Sequence, residues 1–216
     1  MKLLCLTDLH SNREALERIL DRAGPVDLVL LGGDITNFGS AEHAERFVRH
    51  IQDAGREVLA VAGNCDCAAI DHRLAELGVS LHARGVVRDG VGLHGISGIP
   101  PWRSRMYSFD EVQLAEALRQ GFEQIAGARR HVVLAHVPPH HGRLDRTFLL
   151  QHAGSKALRE FVDDRQPDLV LCGHIHEARG TETLGQTTVV NSGPASGGYY
   201  AVAMIGEQVE VELRQA

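Results

Sequence analysis

The sequence predicts one α/β domain over residues 1–216, with two mixed sheets sandwiched between helices. Three observations predict it. Short apolar runs alternate with segments of helical spacing up to Gly78, the pattern of strands in a largely parallel sheet with both faces covered. A hairpin signature follows. The rest of the chain supplies two further buried-strand runs and three short strand candidates near its end.

Residues 2–7 form the first apolar run, and 11–23 carry helical spacing at Ala15, Leu16, Ile19 and Leu20. Residues 27–31 are a second buried run, stopped by Gly32-Gly33. A helix is expected over 41–54, with Phe47, Val48 and Ile51 on one face, and a third strand over 57–62, ended by Gly63. Leu74 and Leu77 mark a short helix closed by Gly78. Residues 84–88 and 91–96 flank Asp89-Gly90, a hairpin dipeptide. A loop with Gly98, Pro100, Pro101, Trp102, Arg103 and Arg105 precedes a helix over 110–125 and a strand over 131–135. Residues 137–147 read as a Pro- and His-rich loop, 155–164 as a helix and 168–172 as a buried strand. The tail holds strand candidates at 187–191, 199–205 and 209–213, the last two joined by a turn at Gly206-Glu207.

Composition narrows the function classes. A chain of 216 residues, 44% hydrophobic and 23% charged, is ordinary for a globular protein and excludes disorder, collagen and a coiled coil. The net charge of −6 argues against a nucleic-acid polymer as partner. A small anionic substrate stays open, because a bound metal ion supplies positive charge locally. Cys5 and Cys172 lie in apolar runs, and with Cys65 and Cys67 they form no spaced disulfide framework, which points to the reducing cytoplasm. The stretch before Asp8 is too short for a signal peptide, and no apolar run has the length to span a membrane. A soluble cytoplasmic protein is expected, with association of identical copies left open.

Polar signatures recur at one position, directly after an apolar run: Asp8-Leu9-His10, Gly32-Gly33-Asp34, Gly63-Asn64-Cys65-Asp66, Ala135-His136 and Gly173-His174-Ile175-His176. The groove outside the carboxyl ends of strands is where α/β sheets bind ligands. Carboxylate, amide oxygen and imidazole without a thiolate shell suit borderline divalent metals such as Mn, Fe or Zn. Asp8, His10, Asp34, Asn64, His136, His174 and His176 are too many donors for one ion and about right for two that share a carboxylate. Gly33 and Gly63 would let the backbone turn tightly beside them.

These motifs resemble those of the calcineurin-like metallophosphoesterases. TDLH, LGGD, AGNCD, LAHVPPH and CGHIH stand in that family's order, and VVNSGPASGGYYAV is similar to its closing strand and Gly-rich turn. GDITNFG and GNCD resemble a bacterial and archaeal branch, the cyclic-nucleotide-phosphodiesterase-related phosphoesterases. The resemblance implies a four-layer α-β-β-α sandwich holding two divalent ions, Mn foremost, with Fe, Zn, Ni or Mg as the alternatives. It implies that Asp8, His10, Asp34 and His176 hold one ion, and that Asp34, Asn64, His136 and His174 hold the other. It further implies hydrolysis of a small phosphoester, phosphodiesters favoured, by in-line attack of a metal-bridging hydroxide.

Cys65 departs from the pattern, which usually has a His there to contact phosphate or protonate the leaving group. A thiol is a poor acid toward an alkoxide, so the acid step lacks its usual donor, and Asp66 is expected to orient a water or ligand instead. His140, His141, Arg103 and Arg105 are further loop groups near the motifs, and Trp102 is either a loop anchor or a lid that stacks on a ring. His43, His50, His72, His82, His131 and His152 read as surface groups, and His94 as packed. A second function class is a metal-binding interaction scaffold without catalysis, as in the retromer subunit that resembles these enzymes. The complete donor set favours the enzyme.

Overall fold

The computed structural model describes residues 1–102 and 105–216. Arg103 lies outside the described residues. In chain order the elements are β1 (Lys2–Leu6), α1 (Arg13–Ala23), β2 (Leu28–Gly32), α2 (Ala41–Asp53), β3 (Val58–Val61), α3 (Ala68–Glu76), β4 (Gly85–Arg88) and β5 (Val91–Ile96). Then come α4 (Glu111–Glu123), β6 (Arg130–Ala135), α5 (Lys156–Arg165), β7 (Leu169–Cys172), β8 (Gly180–Leu184), β9 (Thr187–Asn191), β10 (Tyr199–Ile205) and β11 (Val209–Gln215).

One sheet has the strand order β11-β10-β1-β2-β3 and the other β4-β5-β6-β7-β9-β8. In the first, β1, β2 and β3 run parallel, with Cys5 opposite Leu30 and Leu31 opposite Ala60. β10 returns antiparallel to β1, pairing Ala201 with Cys5. In the second, β5, β6, β7 and β9 are parallel, with an antiparallel strand at each edge.

The apolar runs read as they do because both faces are buried. Side chains alternate across a strand, so Leu3 and Cys5 point to the other sheet while Leu4 and Leu6 point to helices. The inter-sheet layer joins Leu3, Leu30 and Leu59 to Leu93, Leu134 and Leu171. Helix α1 covers the outer face of the first sheet with Ala15, Leu16, Ile19 and Leu20, and α2 with Ala44, Phe47, Val48 and Ile51. Helices α4 and α5 cover the second sheet with Leu114, Leu118, Leu158 and Val162. The layers are therefore helix, sheet, sheet, helix, as expected.

Local chemistry sets the helix starts. Asn12 accepts from the Ala15 N–H and Ser155 from Leu158, and Asp110 and Gln113 form a reciprocal capping box. The differences from expectation are at the edges. β8 reads GTETL, an edge strand without an apolar run, so hydrophobic patterning passed over it. Its buried Glu182 takes the Arg143 N–H at 2.7 Å. Helix α3 starts at Ala68, well before the leucines that signalled it. Among the described residues, no helix is long and apolar enough to cross a membrane.

Candidate metal centre

All the carboxyl ends that matter open at one place. Asp8 and His10 follow β1, Asp34 follows β2, Asn64 follows β3, His136 follows β6, and His174 and His176 follow β7. The two sheets are joined there through His136, whose Nδ1 lies 3.0 Å from the Gly32 carbonyl. Backbone bonds lace the loops together: the Asp8 N–H donates to Gly33 O at 3.0 Å and the His10 N–H to Asp34 O at 2.8 Å.

Asp34 sits between two groups of imidazoles. Its Oδ2 is 3.7 Å from His10 Nε2, and its Oδ1 is 3.5 Å from His136 Nε2. On one side His176 Nε2 lies 3.2 Å from Asp8 Oδ1 and 3.4 Å from His10 Nε2. On the other, His136 Nε2 lies 2.9 Å from Asn64 Oδ1. His174 is set a little further out, its ring 5.2 Å from that of His136. Its Nε2 is buried and has no hydrogen-bond partner among the described residues. A buried imidazole nitrogen without a partner is costly unless an ion or water meets it. The donor set and this orphaned nitrogen fit divalent metal, with Asp8, His10 and His176 as one cluster and Asp8, Asp34 and His136 as another.

The electrostatics agree with that fit. Burial opposes ionisation of Asp8, but the hydrogen bond and charge of His176 and the charge of His136 outweigh it and hold the carboxyl below its ordinary range. Burial, reinforced by repulsion from His136, pushes His174 down to about 3, which keeps its imidazole neutral and its lone pair free. His136 is raised in spite of burial because Asp34 and Asp8 face it.

The loops are strained where the donors sit. Asp8 (φ 56°), His10 (φ 46°), Asp34 (φ 48°) and His174 (φ 66°) all occupy the left-handed region. That conformation costs roughly 1–2 kcal/mol for a residue with a Cβ, and such strain clusters at functional sites. Gly33 (φ 85°) takes the same region without a Cβ, which would meet His136 Nδ1 at 2.6 Å. At Gly63 a Cβ would overlap the Asp34 carboxylate itself.

Cys65 lies at the centre. Its N–H donates to Asp34 Oδ1 at 2.7 Å, and its thiol is close enough to His10 and Asp34 to share an ion with them. Burial and then the Asp34 carboxylate push the thiol up, so it stays protonated. Asp66 has a different part from the one expected. Its carboxylate accepts from the N–H groups of Ile35, Thr36 and Gly63 and from the Thr36 hydroxyl, at 2.9–3.1 Å. These donors use up its lone pairs, so Asp66 ties the Asp34 loop to the Asn64 loop and has none to offer a water or ligand.

His140 and His141 do not join the donors: they pack with His152, their rings 4.2 Å apart and His141 4.6 Å from His152. His152 is half-buried on Asp145 at 2.8 Å, and His82 takes the Ser97 N–H at 3.0 Å, so neither is the plain surface group expected. Arg105 is exposed. Sequence reasoning missed Asn191, which is fully buried and donates to Ile175 O at 2.8 Å, holding the loop between His174 and His176. The signal was available, a polar amide ending an apolar run, as at Asn64.

The comparisons point the same way. An uncharacterized protein of Methanocaldococcus jannaschii is 28% identical over 201 residues, covering 91% of this chain and 89% of that one. The crystal structure of TT1561 of Thermus thermophilus superposes with a TM-score of 0.80 at 20% identity, over 99% of this chain and 98% of the other. A purple acid phosphatase from yellow lupin seeds shares the fold with a TM-score of 0.64 at 11% identity, over 100% of this chain and 51% of its own. The model of one family matches residues 1–178, from the first strand through the last of the candidate metal-ligating histidines. With that match, the strand-end donors fall inside a known frame, and the chain belongs to the calcineurin-like phosphoesterase family.

Proposed function

We propose that the chain hydrolyses phosphodiesters with two divalent ions per molecule, Mn foremost. Asp34 carries the reading: one oxygen faces His10 and the other faces His136, so a single carboxylate serves both donor groups. Asp8, His10 and His176 would complete the first set, and Asn64, His136 and His174 the second. When bound, such a pair supplies positive charge to the phosphoryl oxygens and activates water at neutral pH.

The chain's own groups do the positioning. Asp66 fixes the loops that carry Asp34 and Asn64. The Cys65 N–H holds Asp34 Oδ1, and the Asn64 amide turns its Nδ2 to the Cys65 sulfur at 3.3 Å, leaving its oxygen on the His136 side. Diesters are favoured over monoesters on charge. Among the described residues, Asp8 and Asp34 form ion pairs with histidines only, and no arginine or lysine is paired into the centre. A diester brings one negative charge to such a site, and a monoester up to two. Four free thiols support a reducing, cytoplasmic setting. Strand β10, near the end of the chain, pairs with β1, which supports reading residues 1–216 as one domain.

The test is turnover of bis-p-nitrophenyl phosphate by the Mn²⁺-loaded protein, beside p-nitrophenyl phosphate, with Asp34→Asn and His136→Ala as variants. Diester turnover exceeding that of the monoester, lost by about 10²-fold or more in each folded variant, supports the proposal. No turnover of either ester by the loaded protein would favour the non-catalytic scaffold.

A further inference from the structure

Beside the metal donors the surface changes character. A groove of about 470 Å³ runs from His174 and His176 to an apolar rim formed by Trp102, Phe148 and Leu149. The Trp102 ring stands edge-on to His174, 5.9 Å away. Phe148 is 85% exposed, Leu149 79% and the neighbouring Leu150 72%, unusual for three large apolar side chains in a row.

They are not on a loose loop. Thr147 N–H bonds to Gln151 O at 3.0 Å and Leu150 N–H to Thr147 O at 2.8 Å, closing a tight turn that holds Phe148 and Leu149 outward. The turn is tied to the metal centre as well, because the Phe148 N–H donates to Glu177 at 2.8 Å and Glu177 follows His176 directly. His152 on Asp145 at 2.8 Å braces its base. An ordered turn anchored beside the donors, with exposed apolar side chains that line the groove, has the form of a recognition surface.

We propose that this rim binds the organic group of the phosphoester, and that the group is a planar ring. This deepens the phosphodiesterase reading and rests on it. The groove has His174 and His176 as part of its lining, so whatever fills it lies next to the reacting phosphorus. Two aromatic side chains and two histidines in the lining favour a flat π-system over a small alkyl chain, since aromatic groups pack edge-to-face or offset against one another. A second copy of the chain is the weaker occupant: Trp102, Phe148, Leu149 and the exposed Leu150 beside them fall well short of the roughly 1,200 Å² that a stable interface needs. Trp102, Phe148 and Leu149 are therefore specificity-determining residues for the ester's alcohol.

Trp102 is the only tryptophan of the chain, so its fluorescence reports on the groove directly. The Zn²⁺-loaded protein is titrated with phenylphosphonate and with methylphosphonate, neither of which can be hydrolysed. Phenylphosphonate is expected to change the emission and to bind at least tenfold tighter than methylphosphonate, measured for the latter by competition. In Phe148→Ser/Leu149→Ser, both exposed sites that should not disturb folding, phenylphosphonate should weaken tenfold or more and methylphosphonate by less than twofold. Phe148→Tyr should keep the preference. Equal affinity of the two phosphonates, in a protein that turns over bis-p-nitrophenyl phosphate, overturns this inference alone. Absence of both binding and turnover overturns the phosphoesterase reading with it. A double variant that turns a dimer into a monomer and keeps the phenyl preference would make the rim a contact between copies, and would also overturn it.

Discussion

The Nε2 atoms of His10 and His176 lie 3.4 Å apart, although 166 residues separate them in the chain. Two ring nitrogens can meet this way only if one gives its N–H and the other its lone pair, and each also approaches a carboxylate: Asp34 for His10 at 3.7 Å and Asp8 for His176 at 3.2 Å. One cation shared by these four groups satisfies them together.

The protein loaded with Mn²⁺ should therefore hold about two ions per chain, as expected for a paired site. His10→Ala should lower the count to about one, and Asp34→Asn should lower it further. Loading should also raise the thermal midpoint, because saturation at about 100 times Kd adds about 2.7 kcal/mol. Elemental analysis after gel filtration measures the count. A single ion, with Asp34→Asn unchanged, would remove the shared carboxylate from the argument.

Asp66 is predicted to matter for folding more than for chemistry. Its carboxylate is buried and accepts four hydrogen bonds from the loops that carry Asp34 and Asn64. Asp66→Asn would turn an NH₂ toward backbone donors, and a buried donor left unsatisfied costs about 1–3 kcal/mol. Denaturant unfolding should show that loss, while the folded fraction keeps most of its turnover and its metal. If stability were unchanged and turnover fell a thousandfold, Asp66 would be acting on the substrate and not on the loops.

Much of this was legible in the sequence, and the limits have physical causes. The strands could be read because burial on both faces leaves nearly unbroken apolar runs, as at Leu28–Gly32. The donors could be read because each follows such a run, so one local rule located all the strand-end motifs. β8 could not, because an edge strand keeps polar residues on its open face. The part played by Asp66 could not either. A carboxylate two residues beyond Asn64 looks the same whether it faces solvent or backbone, and only the packing of the Ile35–Thr36 turn against it decides. The left-handed conformations of Asp8, His10, Asp34 and His174 leave no mark in sequence, since none is a glycine.

His94 gives a prediction about acid. It is fully buried, its ring lies 5.2 Å from Phe161 and 6.0 Å from Phe122, and neither nitrogen has a hydrogen-bond partner among the described residues. Burial, with repulsion from His131, pushes it down to about 3. An unfolded histidine titrates near 6.5, so between those values the unfolded chain binds a proton that the folded chain does not. Stability is then lost as pH falls from about 6.5 toward about 3, at about 1.4 kcal/mol per unit. His94→Phe removes this one proton. Its advantage over the parent should grow by about 2 kcal/mol between pH 6.5 and 5. Parallel stability curves for the two proteins would show that His94 is not held neutral.

The last prediction concerns Cys65, whose thiol sits with His10 and Asp34 and is kept protonated by burial and by the Asp34 charge. A thiol so held is a poor proton donor to a departing alkoxide, and no imidazole stands at that position. The leaving group must then depart with little help from an acid, so rates should fall steeply as its pKa rises. General acid catalysis is worth roughly 10²–10⁴-fold. Cys65→His would return the usual residue of the family and should recover part of that factor for alkyl esters, with little gain for nitrophenyl esters. Cys65→Ser should change little, because neither group is an acid at neutral pH and the N–H that holds Asp34 belongs to the backbone. The measurement is a leaving-group series on the three proteins, each checked for metal content so that a changed ligand set is not mistaken for a lost acid. A flat series in the parent, or a loss in Cys65→Ser confined to alkoxide leaving groups, would show that the thiol or a neighbour already donates the proton.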